Sequence, residues 1–327
     1  MKIGIIGRKG SGKSVIYGAL CGRDTSQDFE KKVFFTTVDV HDDRVEKLAV
    51  LYNTKKKIYN TFVFYDFPGY DLTDREVKEM DGYIIVTDGF NEGSEPGKEI
   101  GSVFEDMYLN DITILQKRHG VLTKGKKESE HDNEARTIAS LLESYAPERS
   151  LYKETAAEER YRILKGFQLF LTKPVFCIVN GAEGSSGSGL RDIRGFPVFD
   201  ILGKVELEIS LLPEEEKKEY LSLMGIETPF FKKFTAELYS YMHLITFFSC
   251  SEKEIRAWQL RNGQTAVEAA GVIHTDIMKG FIKADVVNAS DVIAFGGEHE
   301  AKKNNCFRLE GKEYRMKDGD IMVVKFQ

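Results

Sequence analysis

Several things are scarce in this 327-residue chain, and each scarcity closes off a class of protein. The four cysteines (Cys21, Cys177, Cys250 and Cys306) lie far apart and form no Cys-x-x-Cys pair. Such spacing builds neither a disulfide framework nor a zinc site, and the thiols read as small buried hydrophobes in a reducing compartment. The six histidines are scattered, with no pair at metal-ligand spacing. Long apolar runs are also missing. Stretches such as 83–87 and 244–248 are strand-sized, well short of the roughly 20 residues that span a bilayer. Residues 1–7 are too short and too soon broken by glycine to read as a signal peptide. An excess of positive charge is absent too: the net charge is −6 and the pI about 5.7. Indiscriminate binding of nucleic acid is thereby excluded, and any RNA contact must come from a local surface. The expectation is a cytoplasmic protein without membrane association.

What is present falls into four blocks. Residues 1–99 alternate apolar strands, expected near 2–6, 33–40, 61–65 and 82–87, with helices from 13 to about 21 and around 44–52. That alternation predicts an α/β domain with a largely parallel sheet. Over 100–167 the period changes. Phe104, Tyr108, Ile112 and Leu115 recur at helical spacing, as do Ile138, Leu141, Leu142 and Tyr145, on either side of an apolar-free stretch at 124–133. This reads as an inserted αα-hairpin with a solvated tip. Residues 168–242 return to the first style, with a strand at 174–179, a Gly- and Ser-rich loop at 181–195 and a helix after Pro213 that stops at Gly225. Residues 243–327 are strand-rich: Ile282, Ala284 and Val286 alternate with Lys283, Asp285 and Val287, and Met322, Val324 and Phe326 with Val323 and Lys325. This last block balances twelve acidic residues against twelve basic ones, so its charge is close to zero. The run Lys55-Lys56-Lys57 reads as a solvated turn rather than a phosphate rail, and Trp258 and His274 as packing and hydrogen-bonding residues rather than RNA contacts.

The chemistry concentrates near the N-terminus. Gly7-Arg8-Lys9-Gly10-Ser11-Gly12-Lys13-Ser14 fits Gly-x-x-x-x-Gly-Lys-[Ser/Thr], with an apolar strand before it and a helical run from Val15 after it. Glycines let successive N–H groups converge on one anion, and the helix N-terminus adds its partial positive charge. Lys13 is expected to reach the β- and γ-phosphates of a bound nucleoside triphosphate and is the candidate catalytic residue; the Ser14 hydroxyl is expected on Mg²⁺. Asp66-Phe67-Pro68-Gly69 follows the next strand and supplies Asp-x-x-Gly, with Asp66 toward the metal and the Gly69 N–H toward the γ-phosphate. After the strand at 174–179 comes Asn180-Gly181-Ala182-Glu183, where guanine-binding proteins carry Asn-Lys-x-Asp. The lysine is gone, and the carboxylate stands one methylene further out.

Asn-x-x-Glu at this position resembles the YchF branch of the Obg-related GTPases, and the C-terminal third strengthens the likeness. Leu244-Ile245-Thr246-Phe247-Phe248, Glu252-Lys253-Glu254-Ile255-Arg256-Ala257-Trp258, Ala269-Ala270-Gly271-Val272-Ile273-His274-Thr275-Asp276, Lys279-Gly280-Phe281-Ile282-Lys283-Ala284 and Asp318-Gly319-Asp320 all resemble that family's TGS module. The resemblance implies a P-loop domain over 1–99 and 168–242, an inserted helical hairpin over 100–167, and a β-grasp TGS domain over 243–327. It also implies Mg²⁺-dependent binding of ATP in preference to GTP, slow hydrolysis, and association with the ribosome or structured RNA. Asn180, Gly181, Glu183, Gly203 and Lys204 are the implied base-side residues, and Thr37, with Thr36 as the other candidate, the implied threonine on the metal. The chain departs from the family where Ser11 and Val15 replace its asparagine and threonine, and where Leu202-Gly203-Lys204 replaces Ser-Ala-Lys. It departs again in a shortened segment before residue 40 and a curtailed one at 70–81, in which Tyr70 takes the place of the water-orienting glutamine of Ras-like enzymes. Those departures keep a second reading open, a non-catalytic ATP-sensing module. A third, an interaction protein with a vestigial P-loop, is opposed by the intact Gly7–Ser14 motif.

Overall fold

A computed structural model describes the chain apart from residues 26–32, 125–128, 145–151, 153–162, 185–186 and 224–228. Its contacts separate two compact units, one of residues 1–38 and 62–229, the other of 39–61 and 230–327.

The first unit is organised around β1 (Lys2–Ile6). Ile3, Ile5 and Ile6 are fully buried, as a strand covered on both faces requires. Among the described residues the sheet has seven strands in the order β2 (Phe34–Val40), β4 (Asn60–Asp66), β1, β5 (Gly82–Gly89), β6 (Val175–Gly181), β8 (Phe196–Ile201) and β7 (Asp192–Ile193). β1 pairs in parallel with β4 on one side and β5 on the other. The connection direction therefore reverses at its C-terminal end, which opens the crevice where α/β sheets take their ligands. Helix α1 (Lys13–Cys21) leaves from that crevice, and α6 (Gly203–Leu211), arriving from β8, packs along it.

Helix α4 (Pro96–Lys124) and α5 (Ser129–Ser144) form the expected hairpin. Its tip falls partly at 125–128, and Tyr145 too lies outside the described residues. Proline occupies the first helical position, where its missing N–H costs nothing. Ile100, Val103, Phe104 and Met107 are fully buried, and the Phe104 ring stacks on Phe196 at 4.6 Å between centroids. Arg118 grips Glu134 across the hairpin through two hydrogen bonds of 2.7 and 2.8 Å. Asp111, fully buried on α4, accepts the N–H groups of Phe170 and Leu171 and ties the helix to the lead into β6.

In the second unit a six-stranded sheet runs β12 (Arg308–Glu310), β11 (Phe281–Asn288), β13 (Asp320–Phe326), β9 (Leu244–Cys250), β10 (Ile255–Arg261) and β3 (Lys57–Ile58). On one face α9 (Ala266–Ile273) buries Ala266, Ala269 and Ala270 against Phe247, Leu260, Val286 and Met322. On the other, α2 (Asp43–Leu51) places Val45, Leu48 and Ala49 against Phe248, Ile255, Ala257 and Ile321. Here the structure departs from the sequence-based division, which gave 39–61 to the nucleotide-binding part. An amphipathic stripe reports that a helix is covered, not by which sheet.

Two finer expectations also change. The alternation groups Ile282 with Ala284 and Val286, but those two are fully buried while Ile282, at a register shift between Phe281 and Lys283, is 47% exposed. Phe326 is likewise 53% exposed, whereas Ile321 is buried. The lysine run is part strand and ion-paired: Lys56 meets Glu254 and Lys57 meets Glu46, both across exposed surface. The Trp258 indole N–H donates to Ser249 Oγ at 2.9 Å, and His274 Nδ1 accepts the Asp276 N–H at the start of a short helix, so both serve packing and capping.

Candidate nucleotide site

The turn after β1 is a conformation only glycine tolerates. Gly7, Gly10 and Gly12 have φ of 148°, 87° and 87°. A Cβ on Gly7 would lie 2.2 Å from the Val86 carbonyl oxygen, and one on Gly12 would lie 2.1 Å from Asn180 Nδ2. No side chain among the described residues caps the N-terminus of α1, so its first N–H groups can serve an anion. Lys13 is buried, and its ammonium donates to the carbonyl oxygens of Gly7 at 2.9 Å and Arg8 at 2.8 Å. Burial lowers its pKa, against the opposing pull of Asp66 and Glu99. The turn's own carbonyl oxygens thus hold the cation over it.

Opposite it, Ser14 Oγ donates to Asp66 Oδ2 at 2.9 Å. Asp66 Oδ1 is buried and has no hydrogen-bond partner among the described residues. Burial raises the carboxyl's pKa, partly offset by Ser14 and Lys13. Two hard oxygen donors, one of them orphaned, suit a magnesium ion. Thr37, expected beside them, is an exposed residue within β2 with no hydrogen bond to either. Thr36, half-buried on the same strand, lies near the Cys21 thiol of α1. Gly69 follows three residues after Asp66 in an open stretch where an added Cβ would touch nothing.

Asn180 occupies an unanticipated role. It is buried; its Oδ1 accepts the Gly203 N–H at 3.0 Å, and its Nδ2 donates to the Ser11 carbonyl at 3.4 Å. A Cβ on Gly203 would fall 2.6 Å from Asn180 Oδ1. Both glycines are therefore the spaces into which this one amide fits, and Asn180 braces the phosphate turn against the loop after β8. Glu183 and Lys204 line a pocket of about 600 Å³ together with Gly12, Val15 and Gly181. The sequence reading missed Phe90, Val205 and Glu208 on the same wall. Phe90, 41% exposed directly past the end of β5, had a legible signal: a large aromatic at the mouth of an apolar strand.

The residue after Asp-x-x-Gly is also accounted for. The Tyr70 hydroxyl donates to Asp106 Oδ2 on α4 at 2.9 Å, which commits its one proton to that carboxylate.

Comparison with known proteins bears on this site. A family model described as a 50S ribosome-binding GTPase matches residues 2–143, and a YchF GTPase C-terminal model, described as a protein of unknown function, matches 244–327. The ribosome-binding ATPase YchF of Escherichia coli O157:H7 is 30% identical over 369 residues, covering 99% of this chain and 99% of that protein. That of Bacillus subtilis (strain 168) is 29% identical over 363 residues, covering 99% and 98%. The solved structure of the Schizosaccharomyces pombe YchF GTPase matches with a TM-score of 0.82 at 21% identity, over 99% of this chain and 97% of that one, a likeness of fold.

Proposed function

The chain belongs to the YchF family, and from that premise we propose that it is a slow Mg²⁺-dependent ATPase that acts as a ribosome-associated switch. The observation that carries this reading is the preformed phosphate turn: glycines that admit no side chain, a fixed Lys13 ammonium, and the Ser14–Asp66 pair with its spare carboxylate oxygen. In it Lys13 is the catalytic residue, neutralising charge on the transferred phosphoryl group, while backbone N–H groups from Gly7 to Val15 hold the phosphates. Ser14 and Asp66 hold Mg²⁺, which supplies further charge neutralisation when bound. Gly69 offers its N–H to the γ-phosphate. Gly181, Glu183, Gly203 and Lys204 form the base side, braced by Asn180.

Adenine is the preferred base because the lysine and aspartate that grip guanine are replaced at Gly181 and Glu183. Unpaired guanine donors cost about 1–3 kcal/mol, or roughly 5- to 150-fold in affinity. Ribosome or structured-RNA contact is assigned to the helical hairpin and the near-neutral C-terminal unit, with residues 243–327 read as a TGS-like β-grasp and the hairpin at 100–167 as its own module. The protein is read as cytoplasmic; no described helix is long and apolar enough to cross a membrane.

Equilibrium titration with ATP and GTP, set beside single-turnover hydrolysis with and without ribosomes, tests the proposal. Expected are tighter ATP binding and turnover no faster than the roughly 10⁻⁴ to 10⁻² per second of unassisted GTPases, raised by ribosomes. GTP preference, or unassisted turnover above about 0.1 per second, overturns it. Because Tyr70 is committed to Asp106, nucleotide sensing without turnover is the second reading; undetectable hydrolysis with ribosomes present favours it.

A further inference from the structure

The phosphate turn carries a second cation that its motif does not prescribe. Arg8 occupies one of the free positions of Gly-x-x-x-x-Gly-Lys-Ser. Its Nε lies 3.8 Å from Glu99 Oε1 on the first turn of α4; the arginine side chain is 58% exposed, the glutamate only 15%. Two turns along the same helix Asp106 accepts the Tyr70 hydroxyl, and the Arg8 guanidinium lies near enough to Tyr70 to act on it electrostatically. Three segments distant in sequence therefore meet at one guanidinium: the phosphate turn, the residue after Asp-x-x-Gly, and the first helix of the hairpin.

The location gives the cluster its meaning. Arg8's own carbonyl oxygen holds the Lys13 ammonium at 2.8 Å, so the arginine springs from backbone that borders the terminal phosphates. Glu99 acts electrostatically on Arg8 and on Lys13 alike. Building on the reading of Gly7–Ser14 as a triphosphate site, we propose that Arg8 is a specificity-determining residue that recognises the third phosphate, and that Glu99 is a positioning residue that competes for Arg8 while that phosphate is absent.

The energetics favour exchange. A stretched ion pair with a largely exposed cation is worth little and is easily given up. A terminal phosphate, with more charge and three acceptor oxygens, is a better partner for the guanidinium fork. Loss of Arg8 is resisted from the other side, because Glu99 is half-buried, with its side chain only 15% exposed, and partial burial raises its carboxyl's pKa. Glu99 thus sets the threshold for capture, and a diphosphate, lacking the group, leaves Arg8 on the helix.

Calorimetric titration of the full chain with Mg²⁺ and either ADP or the β,γ-imido analogue of ATP tests this. Arg8→Ala is expected to weaken the triphosphate analogue roughly 5- to 10-fold while changing ADP less than about two-fold. Arg8→Lys is expected to recover part of the loss, since it restores charge without the fork. Glu99→Gln is expected to tighten the triphosphate analogue about 3- to 10-fold, and to change nothing in the Arg8→Ala background. Equal losses for both nucleotides in Arg8→Ala overturn the inference. So does a Glu99→Gln gain that persists without Arg8, because it would mark simple relief of charge repulsion. Wild-type protein that binds neither nucleotide would overturn the nucleotide-site reading itself, an outcome distinct from either.

Discussion

Burial governs what single charged residues contribute in this protein. Lys13 and Asp66 are both desolvated, and burial shifts each toward its neutral form. A site that holds such groups gives up stability for readiness. Lys13→Ala is accordingly expected to abolish tight triphosphate binding while leaving the melting temperature unchanged or slightly raised; calorimetry alongside thermal unfolding checks both halves. Lys173 offers a cleaner test of the same physics away from the site. Burial lowers its pKa from 10.5 to about 8, against the opposing charges of Asp111, Asp81 and Glu79. Between those pH values the unfolded chain binds more protons than the folded one, so stability rises with pH across that window. The slope is at most about 1.4 kcal/mol per pH unit. Urea midpoints at pH 8 and 9.5 are expected to show wild type gaining roughly 1–2 kcal/mol relative to Lys173→Met. A constant difference between the two proteins would place the lysine's pKa near its ordinary value.

Among the elements, α4 has the most to hold. Its inner face builds the core of the first unit, and its first turns bear Glu99 and Asp106 beside the phosphate turn. Phe104→Ala removes a fully buried ring stacked on Phe196 and is expected to cost about 3–5 kcal/mol. Leu109→Ala, on the exposed side of the same helix, is expected to stay within about 0.5 kcal/mol. Chemical denaturation of the pair separates a packing role from a helix-propensity effect, because both substitutions introduce the same residue. Element existence was legible here from the spacing of Phe104, Tyr108, Ile112 and Leu115. The anchor Asp111 was not, because a carboxylate at helical spacing reads as solvated until the loop that covers it is known.

The second unit is assembled from two distant stretches of chain. Arg44 on α2 reaches Asp318 Oδ2 at 2.6 Å, and its guanidinium lies 5.2 Å from the Phe248 ring centroid. Tyr52 donates to Glu298 at 2.6 Å, and β3 extends the sheet in parallel beside β10. Residues 243–327 expressed alone would bare Phe248, Ile255, Ala257 and Ile321 where α2 belongs. Such a fragment is expected to lack dispersed amide signals in NMR spectra and to bind a hydrophobic dye, and a version with 39–61 appended through a flexible linker is expected to recover both. A well-dispersed spectrum from the short fragment would show that α2 is dispensable.

The sequence by itself determined the phosphate turn, the parallel strands around it, the hairpin and the family likeness. Each of these rests on neighbours in the chain: glycines at fixed offsets, a strand that ends where a helix begins, apolar residues at one period. The tertiary structure alone decided that α2 covers the C-terminal sheet, that Asn180 is a brace between two glycines, and that Thr37 stands exposed on β2 with no hydrogen bond to Ser14 or Asp66. It alone also brought Glu99 and Asp106 to Arg8 and Tyr70. Those outcomes depend on which surfaces and polar groups meet after the chain has closed on itself, and local spacing carries no record of the partner.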